Sequence, residues 1–179
     1  MHLSASLRGD AFEPLHRFVQ TCRAQLLGLG PLSLDSLDAV MALAEEARAL
    51  ADRLEGSIHP ANVVTRYIQN SHVEATGRIV VPQGACFYSH LFAREGVVMQ
   101  SGVFRGDAIT VQEGEVVLDE VGSPNGTRVQ VTLLTAGRFR ARLVHPNVRV
   151  TIAGQTYVFP STRFRTEVFR NHKGELEVV

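Results

Sequence analysis

Three lines of sequence decide the fold of this chain: Ser71–Ala75 (SHVEA), Ser89–Ala93 (SHLFA) and Asp107–Val111 (DAITV). Each line begins 18 residues after the one before it, and apolar side chains recur at the same places within each line. A fixed period of this size is typical of a solenoid, in which every circuit of the chain forms one coil. Because coils stack at the strand-pairing distance of about 4.8 Å, equivalent residues lie directly above one another.

Further apolar residues fall into the same register and predict a core of three to four coils. The predicted columns are Val73, Leu91 and Ile109; Ile68, Cys86 and Phe104; Val80, Val98 and Val116; and Val81, Met99 and Val117. A second interpretation uses a six-residue spacing, which is also typical of left-handed β-helices with three short faces per coil. That spacing connects Val73, Ile79, Ala85, Leu91, Val97, Val103 and Ile109. The period alone therefore leaves the handedness open.

The segments on either side of the repeat have different patterns. Apolar residues recur at helical spacing over residues 10–55 and predict two helices, joined as a hairpin. The expected boundaries are an N-cap at Asp10, a break at Gly28–Pro31, a second start near Ser33 or Asp35, and a stop at Gly56. Residues 137–179 alternate apolar and polar, which predicts antiparallel strands that continue or cap the solenoid. We therefore expect a helical hairpin over residues 1–56 and the solenoid with its cap over residues 57–179.

Composition limits the classes of function. The formal net charge is zero and the pI is about 7.1, which argues against a strongly basic nucleic-acid-binding protein. Residues 1–10 have no apolar signal-peptide core, and no stretch of sequence reaches the length that spans a bilayer. Cys22 and Cys86 show neither a disulfide framework nor metal-ligand spacing. We expect a cytoplasmic protein without a membrane span.

Candidate catalytic groups are few. His72 and His90 share one column. One interpretation is a catalytic histidine, as in hexapeptide-repeat acyltransferases, where an imidazole acts as general base. The favoured interpretation is an outward ladder of two like side chains. Bulky residues such as Phe92 and Phe104 follow the six-residue aliphatic positions and would crowd a tight left-handed corner. The sequence therefore predicts no catalytic, cofactor-binding or metal-binding residues, and we expect no cofactor.

Two charged stretches have competing interpretations. The acidic stretch is predicted to be a solvated face, with attraction of a cation as the alternative; it contains Glu113, Glu115, Asp119 and Glu120. Arg138, Arg140 and Arg142 alternate with apolar residues, so all three point to one side of a strand. They form a candidate surface for phosphates or acidic partners, and a solvated strand face is the alternative. The segment Gly122–Thr127 lacks the lysine of a phosphate loop and is predicted to be a turn.

Several stretches, taken together and in order, resemble the β-solenoid of the flagellar assembly protein A (FapA) family. They are Asn70–Ala75, Gln83–Phe87, Val103–Gly106, Glu120–Thr127 and the strand signature His145–Gly154, within a match over about Ala61 to Val179. The resemblance implies a right-handed parallel β-helix, the absence of catalytic residues, and a role linked to flagellar assembly or cell-pole organisation. The long coiled coil common in that family is replaced here by Leu133–Gly137.

The sequence therefore predicts a mainly β protein that acts as a non-catalytic scaffold or adaptor for protein partners. A second hypothesis is a polymer-forming solenoid, similar to bactofilins or the C-terminal domain of MinC, because open solenoid ends present unpaired strand edges. In that case the helical hairpin would cover one end, and deletion of residues 1–55 would promote association. The third hypothesis is an acyltransferase, which requires a left-handed helix and typically forms a trimer.

Overall fold

The computed structural model describes residues 13–26, 36–55 and 59–179, which belong to two compact units, Met1–Ile58 and His59–Val179. In the first unit, helices α1 (Glu13–Leu26) and α2 (Leu37–Glu55) contact each other, so the two predicted helices are confirmed. Helix α2 is capped by Ser36, whose Oγ accepts a hydrogen bond from the amide of Ala39 at 3.2 Å. The caps and breaks that we predicted at Asp10, Gly28–Pro31, Ser33, Asp35 and Gly56 lie outside the described residues.

The second unit is built from strands. In chain order they are β1 (Val63–Val64), β2 (Tyr67–Gln69), β3 (His72–Ala75), β4 (Arg78–Val81), β5 (Gly84–Ala93), β6 (Gly96–Met99), β7 (Gly102–Val111), β8 (Gly114–Val121), β9 (Val129–Leu133), β10 (Gly137–Val144), β11 (Val148–Ile152), β12 (Gln155–Val158), β13 (Arg163–Arg170) and β14 (Leu176–Val178).

These strands form the predicted β-solenoid, with about five coils where three to four were expected and with parallel pairing between successive coils. Each coil passes through three faces. The first face contains β1, β4, β6, β8 and β10. The second contains β2, the beginnings of β5 and β7, and the ends of β8 and β10. The third contains β3, the ends of β5 and β7, β9 and β11.

The predicted register holds through the first three coils. Val73 pairs with Leu91 and Leu91 with Ile109, while Ile68 pairs with Cys86 and Cys86 with Phe104. The prediction for the fourth coil is wrong by one residue, because Val116 pairs with Val97 and Val117 with Val98. The extra residue lies in the corner before β8, where a β-carbon on Gly114 would lie 2.2 Å from the carbonyl oxygen of Glu95. Only glycine allows this close approach.

The fifth coil lies where the sequence pattern predicted only a cap. Residues 122–128 form an irregular connection between β8 and β9, which interrupts the period of the repeat. Strands β10 and β11 pair in parallel with β8 and β9 on one side and antiparallel with β13 and β12 on the other. The antiparallel interpretation of residues 137–152 is therefore correct for one side of each strand and wrong for the other. Antiparallel pairing begins with β12 on β11, β13 on β10 and β14 on β13, and these strands form the predicted C-terminal cap. The predicted hairpin turn at Ala153–Gln155 is confirmed.

The core is a continuous stack of apolar side chains inside the coils. Its largest fully buried members include Phe104, Phe139 and Phe159. Burial raises the pKa of the Cys86 thiol to about 11; the hydrogen bond with Ser89 opposes this increase and the charge of Asp107 adds to it. Neither described helix is long and apolar enough to cross a membrane.

The six-residue spacing fails on the second face of the solenoid. There the inward residues are Ile68, Cys86 and Phe104, whereas Ala85 and Val103 precede buried positions on the same strands and lie on the outer side. The inward positions of one coil are Ile68, Val73 and Ile79, which are separated by unequal steps along the chain. The repeat is therefore one of whole coils and not of equal hexads. The handedness of the coil stays a prediction.

Candidate interaction surfaces

The predicted arginine surface lies on the outside of β10, between β8 and β13. Arg138 bonds to Glu167 and has its guanidinium carbon 4.9 Å from the ring centroid of Phe169. Arg140 lies between two carboxylates, with Nε 3.4 Å from Glu167 Oε1 and Nη1 3.5 Å from Glu115 Oε2. The alternation of strand β10 thus places these arginines on one side, and each contacts a carboxylate from a neighbouring strand.

Arg142 completes the row by bonding to Asp119. Asp119 also accepts a hydrogen bond from the amide of Gly102 at 2.9 Å, which connects the fifth, fourth and third coils through one carboxylate. These contacts lower the pKa of Asp119, with the hydrogen bond from Arg142 the largest cause and that from Gly102 the next. In return, the hydrogen bond with Asp119 raises the pKa of Arg142.

The same effect occurs at the other end of the row. The hydrogen bond from Arg138 is the largest cause that lowers the pKa of Glu167, and Arg140 adds to it against the opposing effect of burial. The carboxylates therefore stay ionised at neutral pH and neutralise the arginine row. A neutralised row attracts a polyanion less than three free guanidinium groups would.

The acidic stretch is dispersed in the same way. Glu113 contacts Arg94 at 3.1 Å and Glu120 contacts Arg105 at 3.4 Å, while Glu115 and Asp119 contact the arginine row. Glu120 also lies 2.9 Å from Nε2 of the buried His145. Within residues 13–26, 36–55 and 59–179, the structure contains no cluster of three or more metal-ligating side chains.

The two stacked histidines lie on the exposed outer side of the third face. Their ring centroids are 6.2 Å apart, and each ring has its own carboxylate neighbour. His72 Nε2 lies 2.7 Å from Glu74 Oε1, and His90 Nε2 lies 3.7 Å from Asp107 Oδ2. The predicted outward ladder is therefore what the geometry shows, and both rings face solvent from a strand surface.

A group of apolar side chains lies on the outside of the first two coils. Val64, Tyr67 and Tyr88 are 68%, 55% and 60% exposed, and these are large fractions for residues of their size. Phe87 is half-buried, and its ring centroid lies 6.0 Å from that of Tyr67. The hydroxyl of Tyr67 donates to Gln69 Oε1 at 2.7 Å. We call Val64, Tyr67, Phe87 and Tyr88 the aromatic corner.

The backbone holds Tyr88 in an unusual conformation. Its φ is 48°, in the left-handed region that bulky residues rarely adopt. The fully buried Ser89 supports this corner, because its Oγ donates to Phe87 O at 2.7 Å and accepts from the amide of Ser71 at 3.1 Å. A β-carbon on Gly106 in the next coil would lie 3.2 Å from Tyr88 Cδ1, so the tyrosine ring rests against a glycine.

The sequence analysis did not identify the aromatic corner, although the repeat contains a signal for it. Tyr67 directly precedes the inward column of Ile68, so strand alternation requires it to face outward. Tyr88 is stacked between Asn70 and Gly106, which both have positive φ. A large aromatic residue in a column of corner residues is an outlier that the 18-residue period makes visible.

The residues define a β-solenoid protein with two N-terminal helices, in which ion pairs neutralise the arginine row of β10. Comparison with known proteins adds no closer assignment: no family model, no curated protein and no solved structure matches the chain.

Proposed function

We propose that this protein is a non-catalytic scaffold or adaptor of the FapA-like β-solenoid type, which binds a protein partner through its aromatic corner. The observation that carries this proposal is the exposure of Tyr67 beside the ring of Phe87, with Val64 and Tyr88 also exposed on the same two coils. Aromatic side chains are enriched in the cores of protein interfaces, and grouped exposed apolar residues mark binding surfaces. The resemblance to the FapA family makes a component of flagellar or cell-pole assembly the expected partner.

The strain at Tyr88 supports the same proposal. A bulky residue in the left-handed region costs about 1–2 kcal/mol, and such strain clusters at functional positions. Asparagine or glycine would fit this corner more easily, as Asn70 and Gly106 show in the adjacent coils. The sequence nevertheless has tyrosine at this corner, and the residue is 60% exposed.

The geometry favours a scaffold over the acyltransferase hypothesis. The unequal steps from Ile68 to Val73 and Ile79 differ from the regular hexads that the hypothesis requires. His72 and His90 lie on an exposed strand surface with a carboxylate beside each ring. Turnover of an acyl-CoA or nucleotide substrate at a defined site would contradict the scaffold proposal.

Site-specific photo-crosslinking in the native host tests the proposed docking surface. A photoreactive phenylalanine analogue would replace Tyr67 or Tyr88, and the control would carry it at Phe164, which is 69% exposed on β13. We expect a discrete adduct with another protein from positions 67 and 88 and none from 164. The same adducts from all three positions, or none at all, would contradict the aromatic corner as the docking surface.

Binding of the purified partner then tests the energetics. Tyr67→Ser combined with Tyr88→Ser should weaken binding by about tenfold or more, because buried aromatic residues carry much of the energy of an interface. Phe164→Ser should leave the affinity within about twofold. A partner outside flagellar and polar assemblies would retain the scaffold proposal but contradict its flagellar part.

A second candidate function, self-association into a polymer, is favoured by the strand edges of the first coil. In the part of the chain that the structure describes, β1 pairs only with β4, and β2 and β3 pair only with β5. Such strands present unpaired backbone groups that template association unless they are covered. The aromatic corner begins on these strands, so a second copy of this chain is the alternative occupant.

Light scattering coupled to size-exclusion chromatography separates the two candidates when it is run over a concentration series, with negative-stain imaging of the same samples. A constant monomer or dimer mass supports the adaptor. Growth of mass with concentration together with visible filaments supports the polymer. In that case the crosslinks from positions 67 and 88 should join two copies of this chain.

A further inference from the structure

We propose that a notch on the third face binds a phosphate group through Arg128 and Arg149. The notch has a volume of about 340 Å³ and lies where the irregular connection after β8 meets strands β11 and β12. Its lining residues are Gly126, Arg128, Asn147, Arg149 and Val158. Two of these five are arginines and none is acidic.

The pairing of strands brings the two arginines together. Val129 pairs with Val148, so Arg128 lies across from Asn147 on the adjacent strand, and Arg149 is two residues beyond Asn147. Val129, Val148 and Val150 are fully buried, while Arg128 and Arg149 are exposed. Both arginines therefore lie on the outer side of neighbouring coils, and both line the notch.

Within the part of the chain that the structure describes, the two arginines of the notch lack the carboxylate contacts that six other arginines of the solenoid make. Six other arginines each contact a carboxylate, namely Arg78, Arg94, Arg105, Arg138, Arg140 and Arg142. Among the described residues, neither Arg128 nor Arg149 has an ion-pair partner. Two uncompensated guanidinium groups that converge in a concavity raise the local anion concentration, and their planar forks match phosphate oxygens.

The floor of the notch is held rigidly by the backbone. Asn147 adopts a φ of 64°, donates from Nδ2 to Gly126 O at 3.0 Å, and its amide donates to Phe159 O at 2.9 Å. A β-carbon on Gly126 would lie 2.7 Å from Asn147 Nδ2, so glycine is needed for this contact. The notch therefore needs little reorganisation to accept a ligand, which lowers the entropic cost of binding.

Titration of the whole chain with inorganic phosphate, followed by amide NMR shifts at constant ionic strength, tests this site. We expect saturable shifts at Gly126, Asn147 and Arg149, and about a tenfold or larger loss of affinity in Arg128→Gln with Arg149→Gln. Arg163→Gln removes another exposed arginine and should leave the affinity within about twofold. The two single variants replace the double variant if its spectrum shows that it does not fold.

Three outcomes would overturn the proposal. The first is that the shifts spread evenly over the arginines of the surface, which indicates non-specific binding of anions only. The second is that the double variant retains the affinity of the native chain. The third is that acetate at the same concentration shifts the same amides with equal affinity, which indicates a general carboxylate site and not a phosphate site.

Discussion

The second and third coils and the C-terminal end of the solenoid are stabilised in different ways. In the regular coils, glycine corners let backbones approach closely, and a β-carbon on Gly102 would lie 1.7 Å from the carbonyl oxygen of Gly84. At the C-terminal end, side chains make the connections, as in the contacts of Arg138 and Arg140 with Glu167. The hairpin turn at Gly154 has open space around the position of a β-carbon. The backbone thus fixes the geometry of the coils, whereas side-chain contacts hold the cap. Substitutions in the cap should therefore cost less stability than substitutions at a coil corner.

The largest effect is expected from a methyl group at a coil corner. Gly102 has a φ of 133°, so Gly102→Ala combines backbone strain with a backbone clash. We expect a loss of about 3–5 kcal/mol in the free energy of unfolding. Gly154 has a φ of 84° with nothing within 4 Å, and Gly154→Ala should cost about 1–2 kcal/mol. Urea denaturation measures the free energy of unfolding of both variants. Equal losses would show that the close backbone approach at Gly102 does not fix the coil corner.

A smaller effect is expected where one side chain supports a coil corner. Asp119→Ala removes the exposed pair with Arg142 and also the acceptor of the Gly102 amide, and it should cost about 1–3 kcal/mol because the half-buried donor loses its partner. Glu113→Ala breaks only the exposed pair with Arg94 and should cost about 0.5 kcal/mol or less. If urea denaturation gives the same loss for the two variants, the Gly102 contact does not stabilise the corner.

Acid should destabilise the solenoid through the same carboxylates. The folded pKa values of Asp119 and Glu167 lie below their usual range, so their stabilising contribution is complete above the unfolded values of about 4. It is lost as the pH falls through the lower folded values. The free energy of unfolding, measured between pH 6 and pH 3 by urea denaturation, should therefore fall less in Asp119→Asn with Glu167→Gln than in the native chain. Identical pH dependence would show that these two groups contribute nothing to acid sensitivity.

The smallest effect is expected at the cap surface. Arg138→Gln breaks a half-exposed ion pair with Glu167 and weakens the contact with Phe169, while Arg140 remains beside Glu167. We expect a loss of about 1 kcal/mol or less, which decreases further at high salt. Thermal unfolding at low and high ionic strength measures this dependence. A loss as large as that of Gly102→Ala would mean that side chains fix the cap as tightly as the backbone fixes the coils.

The sequence predicted the regular coils because stacked residues share one chemical environment. Val73 pairs with Leu91 and Leu91 pairs with Ile109, as the 18-residue repeat predicted. The pattern weakened where residues 122–128 interrupt the period, so the fifth coil was not counted. Alternation along Arg138, Phe139 and Arg140 is the same in parallel and antiparallel strands, so it identified the exposed side but not the neighbouring strand.

The interaction surfaces depended on contacts that the sequence does not encode locally. The three arginines were predicted to share one side of a strand, which they do. Their carboxylate partners come from β8 and β13, so the neutralisation of the row follows from strand pairing alone. Tyr88 and the Arg128–Arg149 notch likewise depend on which corner or coil lies next to each residue.

The buried thiol of Cys86 is a built-in probe for the opening of the solenoid coils. A pKa of about 11 leaves very little thiolate at neutral pH, and the side chain has no exposed surface. Cys22, on helix α1, is partly accessible and should react with an alkylating reagent in the native state. Cys86 can react only after the coils around it separate. Its rate of alkylation, read by mass spectrometry, therefore reports how often the second coil opens, without any added label.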